Sequence, residues 1–132
     1  MENPNPDSLS PLLLAYLGDS VMEVMVRERL VLAPGADPAG CNRRALKFVT
    51  ASAQAQAARR VKEILDPEEE SLFIRAKNAR APSAPSNVDL YSYRLATALE
   101  ALFGWHLLRG EAERLGQLLE AAYPQLKAEP ER

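Results

Sequence analysis

Two stretches of the chain place isolated carboxylates where carboxylates are costly. Between Pro11 and Val26 the only charged side chains are Asp19 and Glu23, set among Leu12, Leu13, Leu14, Leu17, Val21, Val24 and Val26. Between Leu95 and Leu108 the only formal charge is Glu100, among Leu95, Leu99, Leu102, Phe103, Trp105 and Leu107. Helices apolar on nearly every side are expected to be buried. A carboxylate is seldom buried unless a cation, a metal ion or a hydrogen-bond network offsets its desolvation. Asp19 and Glu100 are therefore candidates for one shared site, and Glu23, four residues beyond Asp19, shares its helix face. Gly18 adjoins Asp19 and Gly104 follows Glu100 by one turn. A glycine inside a helix costs about 1 kcal/mol relative to alanine, so a packing reason is expected. Close helix approach is such a reason, and it would bring both carboxylates within reach of one ion. A plainer account also fits these residues: Gly18-Asp19-Ser20 as a break between two helices with Asp19 as an N-cap, and Glu100 paired with Arg94 or another base.

Other chemistries find little support. His106 is the single histidine and lies in an apolar stretch, where a packed or surface role is expected rather than that of a catalytic base. Zinc would need more cysteine and histidine than the chain owns. There is no phosphate-cradling glycine loop and no nucleophile elbow. Met22 and Met25 read as core, and Tyr91 and Tyr93, which flank the basic loop, read as helix packing, with RNA contact as the alternative.

The elements that must position Asp19 and Glu100 are all helical. Alanine and leucine are abundant, aromatics make up 6%, and no alternating strand pattern appears. Ser10-Pro11 is a cap-plus-proline start for a helix over 12–32, which Ala33-Pro34-Gly35 ends. Asp37-Pro38 opens a second helix to about Val49. Thr50 or Ser52 caps a third over 53–65. Asp66-Pro67 starts a fourth to about Lys77, with Glu68, Glu69 and Glu70 against the positive end of its dipole. Residues 79–87 read as a loop. Ser86 with Asp89 suggests a capping box for a long helix over 88–109, which Gly110 ends. A last helix covers 111–123 and stops before Pro124. Residues 1–8 and 124–132 are expected to be flexible, leaving 9–123 as one folded domain.

At 132 residues one hydrophobic core is expected. The single cysteine, Cys41, rules out an intrachain disulfide. No apolar run approaches the length of a membrane span, and the N-terminus lacks a secretory pattern, so a cytoplasmic location is expected. The net charge of −2 hides an asymmetry. Residues 41–62 carry Arg43, Arg44, Lys47, Arg59, Arg60 and Lys62 and no acid, 71–88 carry Arg75, Lys77 and Arg80 and no acid, and the segment after Gly110 is mainly acidic. Such segregation can build one basic face, or simply solvated helix surfaces.

The run Leu13-Leu14-Ala15-Tyr16-Leu17-Gly18-Asp19-Ser20-Val21-Met22-Glu23 resembles the first motif of the ribonuclease III catalytic domain. Leu95-Ala96-Thr97-Ala98-Leu99-Glu100-Ala101-Leu102-Phe103-Gly104 is similar to its second, in the same order. Between them, Arg75-Ala76-Lys77-Asn78-Ala79-Arg80 and Asp89-Leu90-Tyr91-Ser92-Tyr93-Arg94 resemble the compact subfamily called Mini-ribonuclease III. The likeness covers about residues 9–120. It implies an all-α endonuclease fold, a homodimer, and magnesium-dependent cleavage of double-stranded RNA, with manganese able to substitute. It also implies 5′-phosphate and 3′-hydroxyl products and, for the subfamily, maturation of 23S ribosomal RNA precursor. By the same likeness Asp19 is the essential aspartate of the first motif and a metal ligand, and Glu100 the metal-binding glutamate of the second. Glu23 is a further candidate ligand. Longer family members carry a glutamate where this chain has Ala15 and an aspartate where it has Thr97, differences that the subfamily shares. No separate double-stranded-RNA-binding domain is present, so Arg75, Lys77, Asn78, Arg80 and Arg94 are the candidate RNA contacts, with Arg43, Arg44 and Lys47 behind them. The alternative is a non-catalytic RNA-binding or ribosome-associated protein that keeps the fold.

Overall fold

The computed structural model describes residues 3–79 and 89–126. Arg80 and Ser86, and with them the proposed Ser86–Asp89 capping box, lie outside the described residues. Among these there are six α-helices, two short 3-10 turns (Pro6–Ser8 and Pro124–Leu126) and no strand. The helices are α1 (Pro11–Val31), α2 (Pro38–Val49), α3 (Ala51–Lys62), α4 (Pro67–Asn78), α5 (Leu90–Leu108) and α6 (Ala112–Ala122).

The starts follow the cap chemistry of the sequence. Ser10 Oγ accepts from the Leu13 N–H, Asp37 from Gly40 and Thr50 from Ala53, and proline occupies the first turns of α1, α2 and α4. At α4 the cap is a full box: Asp66 accepts from the Glu69 N–H, and the Glu69 carboxylate accepts from the Asp66 N–H. Asp89 caps α5, accepting from the Tyr91 N–H and the Ser92 hydroxyl. Gly110 ends α5 at φ +71°, a left-handed conformation that favours glycine.

α5 is the central element, buried nearly all round from Leu95 to His106, and it packs on α1 most extensively, then on α4 and α3. α1 departs from the expectation of burial on every side. Leu14, Gly18, Val21, Met22, Val26 and Leu30 face the core, but Tyr16 is 83% exposed and Val24 66%, with Leu13 and Val31 also exposed. Its apolar residues exceed what one contact face can cover, so the surplus forms a second stripe on the outer side. α1 is continuous through Gly18-Asp19-Ser20, so Asp19 is not an N-cap.

Glu69 is fully buried rather than set against a helix dipole in solvent. Arg114 grips it with two bonds (2.7 and 2.8 Å), and His106 Nε2 lies 2.6 Å from it. Burial pushes the Glu69 carboxyl up, but the bonds from Arg114, the Asp66 backbone and His106 outweigh this and hold it at about 2. This cluster ties α4, α5 and α6 together. His106 is a packed residue, its Nδ1 facing Glu111 at 3.2 Å.

The folded unit also reaches past 9–123 at both ends. The Trp105 indole N–H is largely buried and needs an acceptor, which Asp7 supplies at 2.8 Å. Leu126 is buried in the core cluster. Asp7 and Leu126 thus contact the helical unit from outside residues 9–123. Among the described residues, no helix is long and apolar enough to cross a membrane.

Candidate active site

The two glycines set the geometry of the α1–α5 crossing. A Cβ built on Gly18 would lie 1.6 Å from the Glu100 carbonyl oxygen, and one on Gly104 would lie 2.0 Å from the Leu14 carbonyl oxygen. Neither position has room for a side chain, and each helix presses its backbone into the gap left by the other's glycine. Because Gly18 meets the backbone of Glu100 itself, Asp19 and Glu100 are brought side by side.

Both line a cleft of about 450 Å³. Its walls are Asp19, Met22, Glu23, Val26 and Arg27 of α1, Asn42, Ala45, Leu46, Phe48 and Val49 of α2, and Gln54 of α3, with Glu100 and Tyr123 completing it. Asp19 is exposed and Glu100 half-buried. Burial, then the charge and close approach of the Asp19 carboxylate, push the Glu100 carboxyl up to about 8. Two carboxylates held this way are a preformed demand for a cation. No ion pair joins Glu100 to Arg94 among the described residues. Six residues apart on α5, they sit about 9 Å along the axis and roughly 120° around it from each other.

The remaining donors are few. Glu23 lines the cleft, but Arg27 Nη2 donates to its Oε1 at 2.6 Å. The Thr97 hydroxyl donates to the Tyr93 carbonyl of its own helix (3.0 Å), Ala15 has no donor atom, and neither residue is among those lining the cleft. Among the described residues, no group of three histidine, cysteine, aspartate or glutamate side chains could hold a metal ion. Asp19 and Glu100 still fit a hard divalent cation. Magnesium prefers oxygen ligands, commonly keeps several waters, and is often bound by one or two carboxylates together with substrate phosphate.

Among the described residues, the expected RNA contacts do not line this cleft. Arg75 and Asn78 are exposed and Lys77 half-buried near the end of α4, and Arg94 is exposed in the first half of α5. Tyr91 is more than half exposed, with the Arg59 guanidinium 5.6 Å above its ring, instead of packed between helices. Met22 is buried and Met25 half-buried against the core, as expected.

Four cleft residues escaped the sequence reading: Arg27, Asn42, Gln54 and Tyr123. Arg27 carried a readable signal, since Asp19, Glu23 and Arg27 recur at four-residue intervals. Tyr123 has no local signal. Its hydroxyl donates to the Phe48 carbonyl (3.1 Å), its ring packs edge-on against Phe48, and burial raises it to about 12.

Residues 12–111 match the Ribonuclease III domain family. The chain is similar to the Mini-ribonuclease 3 of Symbiobacterium thermophilum, 40% identical over 122 residues that cover 92% of this chain and 94% of that one. It is similar to the Mini-ribonuclease 3 of a Thermoanaerobacter species, 37% identical over 86% of this chain and 80% of that one. A crystal structure of a Fusobacterium nucleatum protein superposes with a TM-score of 0.79 at 26% identity, covering 93% of this chain and 98% of that chain.

Proposed function

The chain belongs to the ribonuclease III family and is an endoribonuclease of its compact Mini type, and from that premise we propose that it cuts double-stranded RNA with a magnesium ion held between Asp19 and Glu100. The observation that carries the reading is the interlock of Gly18 with the Glu100 backbone, which sets two carboxylates against one another in an open cleft. When bound there, magnesium supplies Lewis-acid chemistry toward a phosphodiester and favours ionisation of water. The protein's part is to fix the two carboxylates, with Glu100 giving up its proton as the cation arrives. The opposite wall of the cleft is apolar, formed by Met22, Val26, Leu46, Phe48 and Val49.

The likeness to Mini-ribonuclease 3 proteins supports 23S ribosomal RNA precursor as substrate and 5′-phosphate and 3′-hydroxyl ends as products. Manganese serves in place of magnesium. The exposed stripe of α1 supports a homodimer, which would unite two clefts and gather Arg75, Lys77, Asn78, Arg80 and Arg94 from both chains along one duplex. Recognition then follows A-form shape through phosphates and 2′-hydroxyls. A cytoplasmic location suits such a substrate.

The test is cleavage of structured RNA, including 23S precursor, with and without magnesium. Asp19→Asn and Glu100→Gln are expected to bind the RNA and lose at least a hundredfold in cleavage rate, a loss on the order of that seen when charge stabilisation is removed from an active site. Normal cutting by either variant would remove the residue from the site. A wild-type protein that binds duplex RNA but cuts none of it would instead favour a binding module.

A further inference from the structure

Resting on the endonuclease reading, we infer that Arg27 is a substrate-binding residue, the clamp for a phosphate flanking the one that is cut, and that Glu23 positions Arg27 instead of ligating the metal. Three observations carry this. Among the described residues lining the cleft, Arg27 is the one basic side chain, in company with the carboxylates of Asp19, Glu23 and Glu100. A phosphodiester entering there meets a surplus of negative charge, which a guanidinium offsets with a fork of donors suited to phosphate oxygens. Asp19, Glu23 and Arg27 follow one another at four-residue steps along the same flank of α1, so Glu23 stands one turn from each, and its carboxylate is committed to Arg27 at 2.6 Å. The Arg27 backbone lies roughly 12 Å beyond that of Asp19 along the helix axis, and its guanidinium reaches back to Glu23, one turn short of Asp19, a placement suited to a neighbouring phosphate on the same strand.

The side chains of Arg27 and Glu23 are 66% and 49% exposed, so the guanidinium is open to a ligand and the pair adds little to stability. Such a pair on a solvated surface would be a minor helix contact. In the mouth of a cleft with two further carboxylates, it keeps a long, flexible side chain directed at the substrate's path. Glu23 lowers the freedom that Arg27 must lose on binding and leaves the rest of its donor fork for the phosphate.

The experiment uses the full chain and a fluorescently labelled RNA duplex, with binding measured by anisotropy in metal-free buffer over a range of salt. Cleavage is then measured against magnesium concentration. Arg27→Ala is expected to weaken duplex binding about tenfold, the size of one charge-assisted contact. It is also expected to reduce the slope of log affinity against log salt by roughly 1. KM should rise, kcat stay within about twofold, and the magnesium requirement stay unchanged. Arg27→Lys should restore part of the affinity, since it keeps the charge but not the fork. Glu23→Gln should weaken binding severalfold, against the simple expectation that removing a carboxylate favours RNA, and should have no such effect in the Arg27→Ala background. Unchanged affinity and salt slope in Arg27→Ala would overturn the clamp. A Glu23→Gln variant needing much more magnesium, as expected of Asp19→Asn and Glu100→Gln, would make Glu23 a ligand and overturn its positioning role. Because binding is read without metal, failure of the clamp is distinct from failure of the nuclease reading, which would appear as a wild type that never cuts.

Discussion

A carboxyl group that holds its proton to about pH 8 is a poor cation ligand until the proton leaves, and Glu100 is in that state without metal. Its pKa rises from an ordinary 4.5 because burial and then Asp19 disfavour the charged form. The unfolded chain therefore binds fewer protons than the folded chain across that window. The contribution of Glu100 is complete below about 4.5 and is lost as pH rises to about 8, so the metal-free protein should lose thermal stability over this range. In the proposed site magnesium would compete with the proton, and its stabilising effect should grow from pH 6 to pH 8.5. Melting curves at several pH values, with magnesium or a chelator, measure both effects, and Glu100→Gln should flatten the metal-free slope. A slope that survives in Glu100→Gln would assign the titration to another group.

Among the helices, the α1–α5 crossing is the least tolerant of change. Gly18→Ala and Gly104→Ala each force backbone apart, and a cost of about 3 kcal/mol or more is expected, the upper range for overpacking. Gly116 on α6 has no heavy atom near a built Cβ, so Gly116→Ala should instead stabilise by about 0.5–1 kcal/mol. Urea denaturation of the three variants would separate close approach from simple helix propensity. The need for close approach was readable in the sequence, because a helix otherwise rich in leucine and valine kept a costly glycine beside a carboxylate. The helix starts were readable for a related reason, since Ser10-Pro11, Asp37-Pro38 and Asp66-Pro67 each join a capping side chain to a proline that has no N–H to leave unpaired. Glu69 was not readable. In sequence it is one of three glutamates opening α4, while its partners Arg114 and His106 lie far along the chain. Breaking this buried group, as in Glu69→Ala, is expected to cost about 3–5 kcal/mol. With Glu69 held at about 2, its contribution is present above about pH 4.5 and lost as pH falls toward 2. Acid unfolding followed by circular dichroism should be steeper in the wild type than in Glu69→Gln.

For the molecule as a whole, the exposed apolar residues of α1 are what the proposed homodimer rests on. α1 was expected to be buried because its sequence is apolar on nearly every side, and a single chain cannot satisfy that pattern. α5 takes one face, and Leu13, Tyr16, Val24 and Val31 are left exposed along about 27 Å of helix. Exposed apolar side chains gathered on one helix are a mark of association, and in the proposed homodimer two copies meeting across a twofold axis would bury them on both sides at once. Asp19, Glu23 and Arg27 run along the flank of the same helix, so the symmetry that covers the stripe also fixes the relation between two clefts. Val24→Glu would set a carboxylate in each chain against the partner's apolar surface. It should halve the mass seen by sedimentation from twice 14.5 kDa to one chain, with helix content unchanged. Leu108→Glu, an exposed apolar position at the end of α5, should leave the mass as it was. Duplex binding should fall with Val24→Glu more than with any single basic substitution, because each monomer keeps only half of the phosphate contacts. A Val24→Glu protein that remains double in mass, or a monomer that binds and cuts duplex RNA as well as the wild type, would show that the stripe does not join the two halves of the substrate surface.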